Sequence, residues 1–252
     1  MELYGIYVLW LRDLKRYIRA RSRIIGSLGM PIFFLAFLGI GFRRAQIPSL
    51  PENLSYIDFL APGIVSMVVL FTGTFSGVSI VWDRQFGFLR EIMVSPLSRT
   101  TISLGRTIGG ATTAIIQGTL MLFVSFLVGF RPALDGLIYS MFFMVLIAIS
   151  FTGLGIAIST LMEDIHGFQL VINFFLFPLF FLSGALFPIS ELPPFLRSLT
   201  YLNPLTYGVD GMRWSLVRFS EFSPLVDLSV LFVFSVFVIL LSTFMFERTE
   251  VG

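Results

Sequence analysis

The stretch GLIYSMFFMVLIAISFTGLGIAISTLM, Gly136 to Met162, carries no charged residue and exceeds the roughly 20 residues with which an α-helix crosses the hydrocarbon core of a bilayer. It is apolar all round, so it offers no polar face to water as a surface helix of a soluble domain would. A transmembrane β-barrel would instead need short segments of alternating polarity. Working outward, five more uncharged stretches have comparable length: Ile24 to Phe42, Phe59 to Trp82, Thr107 to Phe130, Gly167 to Ser190 and Leu228 to Phe246. The pattern predicts an all-α integral membrane protein, residues 1–252 forming one domain with six transmembrane helices.

Composition agrees. Hydrophobic residues make up 56% of the 252 and charged residues 13%, too little polar surface to keep a domain of this size in water. With no cysteine, disulfides, thiolate zinc sites and cysteine nucleophiles are excluded. His166 is the only histidine, so it has no second nitrogen ligand to join it on a metal. Lys15, the only lysine, lies between Leu14 and Arg16 and not in the Gly-Lys turn of a phosphate-binding loop. Any ATP-driven step must therefore come from another polypeptide. The six stretches hold no ionisable residue, which argues against an ion-coupled carrier and against an intramembrane enzyme.

Charge placement gives an orientation. Of the 17 basic residues, eleven fall in the segment up to Arg23, the loop 83–106 and the carboxyl tail; the opposite side holds Arg43, Arg44, Arg131, Arg197, Arg213 and Arg218. Basic loops favour the cytoplasm, so both termini are expected there. In residues 1–23, Ile6, Trp10, Leu14 and Tyr17 recur at helical spacing, and Arg12, Arg16, Arg19 and Arg23 form a second stripe. That pattern predicts an amphipathic helix in the headgroup plane of the membrane lipid, rather than a solvated basic leader. The segment lacks the short apolar core and cleavage site of a signal peptide and is expected to be retained.

Two connections are long, 83–106 and 191–227, and long loops are where function concentrates. The second holds Pro193, Pro194 and Asn203-Pro204, with an uncharged run from Ser198 to Val209 too short to cross, which predicts a re-entrant hairpin before the last span. Asp210 and Arg213, three apart, would pair on one helical face, as a local ion pair or, with Asn203, as an outer gate. In the aromatic fifth span, Phe177 and Phe181 could wall a route for amphipathic molecules or face lipid and neighbouring helices. Gly73 and Gly77, and Gly105 and Gly109, have the spacing that lets helices approach closely. In the first long connection, Phe86, Phe88, Leu89 and Ile92 make an apolar face flanked by Arg84, Arg90, Glu91 and Arg99, a patch suited to a protein partner or to lipid headgroups. Ser95-Pro96 should end that helix.

At this point the chain resembles the ABC-2 type permeases, especially the daunorubicin-resistance and nodulation-exporter branch. The resemblance is carried by Leu89-Arg90-Glu91, Ser95-Pro96-Leu97-Ser98-Arg99 and Gly105-Arg106-Thr107 after the second span, in register with Ser183-Gly184 and Asn203-Pro204-Leu205 after the fifth. It implies six-span subunits, paired as a homodimer or with a second permease copy, bound to two separate ATPase subunits on the cytoplasmic face of a prokaryotic plasma membrane. It further implies outward movement of an amphipathic drug, lipid or glycolipid, with polysaccharide or lipid-oligosaccharide export as the alternative. ATP and Mg would be held by the partner, with no cofactor on this chain and no nucleic-acid partner. In such permeases the loop after the second span forms a coupling helix seated in the ATPase, with the basic amino-terminal helix nearby. Those roles carry over to residues 83–99, with Ser95, Pro96 and Arg99 included, and to residues 1–23.

Overall fold

A computed structural model describes residues 2–42, 50–51, 54–88, 91, 94 and 97–248, with the side chain of Arg23 excluded. Arg43, Arg44, Leu89, Arg90, Ile92, Ser95 and Pro96 lie outside the described residues. Among the described residues the regular structure is entirely helical: α1 (Glu2–Arg19), α2 (Arg21–Gly41), α3 (Tyr56–Ser76), α4 (Val78–Gln85), α5 (Arg99–Val128), α6 (Gly136–Leu161), α7 (Ile165–Phe181), a 3-10 turn (Ile189–Glu191), α8 (Pro194–Leu202), α9 (Pro204–Val217) and α10 (Pro224–Glu247).

Side chains at the helix starts explain several of these boundaries. Ser55 and Asp58 form a reciprocal capping box at α3, Ser98 accepts from the Thr101 amide at α5, and Asp164 accepts from the Gly167 amide at α7. Each satisfies a first-turn N–H that has no partner within the helix. Proline occupies the first position of α8, α9 and α10, where its missing N–H costs nothing. Many hydroxyls inside the apolar helices bond carbonyls one turn back, as Ser66 does to Pro62 and Ser125 to Met121, which pairs them within the helix; those of Ser103 and Thr152 are buried without such a bond.

Among the described residues, five helical stretches are long and apolar enough to cross a membrane: Ile24–Gly41, Tyr56–Gln85, Arg99–Val128, Gly136–Leu161 and Pro224–Glu247. The expected fifth span, 167–190, differs. Its helix α7 has 17 residues and ends at Phe181, a length of about 25 Å at 1.5 Å per residue against a hydrocarbon thickness of about 30 Å. Beyond it Gly184 takes φ +73, a left-handed conformation that turns the chain and that glycine adopts without strain.

Two loop boundaries are corrected. The connection expected over 83–106 is helical at both ends, since α4 runs to Gln85 and α5 begins at Arg99. Arg106 is therefore two turns inside α5, tolerated because the carboxylates of Asp83 and Asp13 neutralise it. The connection expected over 191–227 is largely α8, α9 and the first turn of α10; Asn203-Pro204 ends α8 and starts α9.

α3 is the most enclosed helix, packed against α2, α5, α6 and α9. Its continuation into α4 passes through Gly77, whose added Cβ would meet the Gly155 carbonyl oxygen at 2.3 Å, while a Cβ on Gly155 would meet that of Thr74 at 2.1 Å. Backbone contact at this crossing requires glycine on both helices. The second glycine pair seats α1. A Cβ on Gly105 would touch Leu9, and one on Gly109 would touch Asp13, so α1 runs lengthwise along the first turns of α5. Trp10 donates to the Thr112 hydroxyl at 3.0 Å, and the Tyr17 hydroxyl bonds the Gln117 side chain. The stripe predicted on α1 thus contributes Ile6, Trp10 and Tyr17 to a protein contact, and Leu3, Tyr4, Tyr7, Val8 and Ile18 remain exposed.

Candidate functional site: a cavity bordered by an ion cluster

A cavity of about 830 Å³ lies between α1, α2, α3 with α4, α5 and α7. Phe71, Phe75, Trp82 and Phe177 form much of its wall, and Asp13, Arg16, Asp83 and Arg106 lie at the end of the bundle that carries the amino terminus. The depth follows from the helices: from Asp83 back to Met67 the wall rises about 24 Å at 1.5 Å per residue.

The charged residues form one cluster from three helices. Arg106 of α5 pairs directly with Asp83 of α4, and its side chain is only 2% exposed. Arg12 of α1 reaches Asp83 at 3.1 Å and Arg16 at 3.7 Å. Asp13 lies 3.5 Å from Arg12 and 3.8 Å from Arg106, and Arg106 also donates to the Ser79 hydroxyl at 3.2 Å. Removing these groups from water is costly, and the arrangement persists only because each buried charge meets an opposite one. The spans as read from sequence contained no such group, because Asp83 and Arg106 were placed in a loop. The available signal was their symmetric position at its two ends and Asp13 inside the arginine stripe.

The residues expected to meet an ATPase divide into two groups. Phe86 and Phe88 line the mouth of the cavity and are more than half exposed; Phe86 stacks on Trp82 with ring centroids 5.2 Å apart, and Glu91 is exposed. Two arginines are engaged within the chain. Arg84 donates to the carbonyls of Met162, at 2.8 Å, and Thr160, at 3.1 Å, covering the carbonyl end of α6 where a cation is favoured. Arg99 bonds the Glu247 carbonyl, and Thr100 donates to the Glu247 carboxylate at 3.1 Å. Ser98 donates to Glu2 at 2.7 Å, so the start of α5 ties together both ends of the chain. Arg19 is exposed on α1.

Of the residues read as a route wall or an outer gate, Phe177 reaches the cavity and the others do not line it. Phe177 faces the cavity against Phe71, centroids 5.2 Å apart; Phe181 is half exposed beyond it. Asn203, Asp210 and Arg213 lie at the other end of the bundle. Asn203 donates to the Leu179 carbonyl at 2.6 Å and caps α9 by accepting from Leu205. Arg213 is buried, donates to the carbonyls of Gly184 at 2.9 Å and Phe59 at 3.3 Å, and lies 3.7 Å over the Phe59 ring. Asp210 accepts from the Glu221 and Phe222 amides at 3.0 and 2.8 Å and is 3.9 Å from Arg213. Burial pushes the Asp210 carboxyl up, while Arg213 and those amides pull it back. The pair expected from sequence is present, but its stronger bonds run to backbone and fasten α9 to α3, to the α10 approach and to the turn after α7. Among the described residues no group of three His, Asp or Glu is placed to hold a metal ion.

Residues 4–217 match the ABC-2 type transporter family. The chain is 26% identical to Nodulation protein J of Sinorhizobium fredii over 243 residues, covering 95% of this chain and 92% of that protein. It is also 26% identical over 243 residues to the inner membrane transport permease YadH of Escherichia coli, covering 94% and 93%. A helical bundle with several membrane-length helices, a cavity between them and a family match across most of its length together make this chain a multi-pass membrane protein of the ABC-2 type transporter family, a transport permease.

Proposed function

We propose that the chain is the permease subunit of an ATP-driven exporter that moves an amphipathic drug, lipid or glycolipid outward. α7 makes a sixth crossing completed by the turn at Gly184, α8 and α9 form a hairpin re-entering from the outer face, and both termini face the cytoplasm of a prokaryotic plasma membrane. Membership of the family implies an ABC ATPase as partner; ATP and Mg belong to that separate subunit, and a second permease copy completes the assembly.

The observation that carries this reading is the cavity. It is lined by aromatic rings among aliphatic and polar side chains, is deep enough for an amphipath, and is bordered by the exposed Phe86 and Phe88, at the start of the segment that should engage the ATPase. A subunit docked on 83–99 would thus push on side chains that border the cavity, and through Arg84 on the end of α6. On the exposed face of α1, Leu3, Tyr4 and Tyr7 suit lipid headgroups, so α1 is proposed to contact lipid on one side and α5 on the other.

The test substitutes Phe88→Ala and measures co-purification of the ATPase encoded with the permease, together with transport-coupled hydrolysis. Loss of one exposed aromatic anchor should weaken association by on the order of 2 kcal/mol while membrane insertion stays normal. Unchanged assembly and coupling would reject the segment as the coupling element.

A further inference from the structure

Resting on the reading of the chain as a permease, we propose that the cavity binds an amphipath through a single anionic headgroup, a phosphate, sulfate or carboxylate held by Arg16, with the apolar body along the aromatic wall. The cluster at this end contains three guanidiniums, of Arg12, Arg16 and Arg106, and two carboxylates, of Asp13 and Asp83. One positive charge is in excess, and geometry assigns it to Arg16. Arg106 and Arg12 are within hydrogen-bond reach of Asp83, whereas Arg16 stands at 3.7 Å with its side chain 49% exposed, too far for a good hydrogen bond. Arg16 lines the cavity, and so does Arg106, whose buried Nε has no partner.

An anion entering there gains a charge-assisted bond without breaking one, and the apolar surroundings strengthen that attraction relative to open water. A cationic headgroup would meet the excess positive charge and would have to displace an arginine from Asp83. The rest of the wall, Met67, Val68, Phe71, Phe75 and Phe177, offers surface for a chain or ring system. Anionic amphipaths should therefore bind better than zwitterionic ones of the same chain length.

The experiment uses the full chain in phosphatidylcholine nanodiscs titrated with radiolabelled dodecyl phosphate, counting binding above empty nanodiscs. Parallel arms use dodecyl phosphocholine and inorganic phosphate. Saturable binding of dodecyl phosphate is expected, with dodecyl phosphocholine weaker and inorganic phosphate alone far weaker. Arg16→Gln should weaken dodecyl phosphate about tenfold, as expected for one charged hydrogen bond, and Phe75→Ala should also weaken it. Arg21→Gln, exposed at the start of α2 at the same end of the bundle, should leave it unchanged, which separates the cavity from general attraction of basic residues to anionic amphipaths. Equal affinity for the two dodecyl compounds, equal losses in the Arg16 and Arg21 variants, or inorganic phosphate binding as well as dodecyl phosphate would each overturn the proposal. Because no ATPase is present, failure here leaves the assembly test of the Phe88 variant standing.

Discussion

Replacing Asp83 with asparagine keeps the shape of the side chain and removes the carboxylate that three arginines share. Arg12 and Arg16, with side chains 33% and 49% exposed, can turn to water, so their loss counts for little. Arg106 cannot, because its side chain is 2% exposed and, among the described residues, the other carboxylate within reach, Asp13, is 3.8 Å away. An uncompensated buried charge of this kind costs about 3 kcal/mol or more. Asp83→Asn should therefore lower stability by about that amount, measured on the purified chain in dodecyl maltoside by circular dichroism as the mole fraction of sodium dodecyl sulfate rises. Arg106→Met made in the same chain removes the stranded charge and should restore part of the loss, with a coupling of about 2 kcal/mol in the double-mutant cycle. A single variant within about 0.5 kcal/mol of the parent, the range of an ordinary surface change, would refute the view that Asp83 neutralises a buried Arg106. So would a double variant no more stable than the single.

Gly105→Leu forces a side chain against Leu9, where even a Cβ would lie at 3.1 Å; overpacking of about 1–3 kcal/mol should lift α1 from α5 and speed maleimide labelling of a cysteine placed at Leu9, and unchanged labelling would contradict the docking. The cysteine-free chain also permits a direct test of orientation: in intact cells a membrane-impermeant maleimide should modify a cysteine at exposed Leu134 and spare one at exposed Val94, and the reverse pattern would invert the topology.

The candidate site was legible in proportion to how local its signal was. Phe86 and Phe88 stood out because neighbouring residues alternate apolar and charged, and the structure places both at the cavity mouth. Arg84 and Arg99 carried the same local signal but are bonded to α6 and α10, partners far along the chain that no spacing rule names. Gly105 and Gly109 announced a close helix contact without saying that the visitor is α1. Arg106 was misread for a physical reason: a charge normally marks the edge of an apolar span, and only a carboxylate brought from elsewhere allows it inside a helix.

By itself, the sequence determined the solvent, the helical class and the approximate position of each long helix, because those depend on the run length of apolar residues and on the need to satisfy every backbone hydrogen bond in hydrocarbon. It also carried the family motifs. The end of α7 at Phe181, the docking of α1 along α5 and the joining of Asp13, Asp83 and Arg106 were decided only by tertiary structure. Each depends on groups distant in sequence: backbone carbonyls held by Asn203 and Arg213 in the first case, glycine surfaces shaped to another helix in the second, and charges that can leave water only in one another's company in the third.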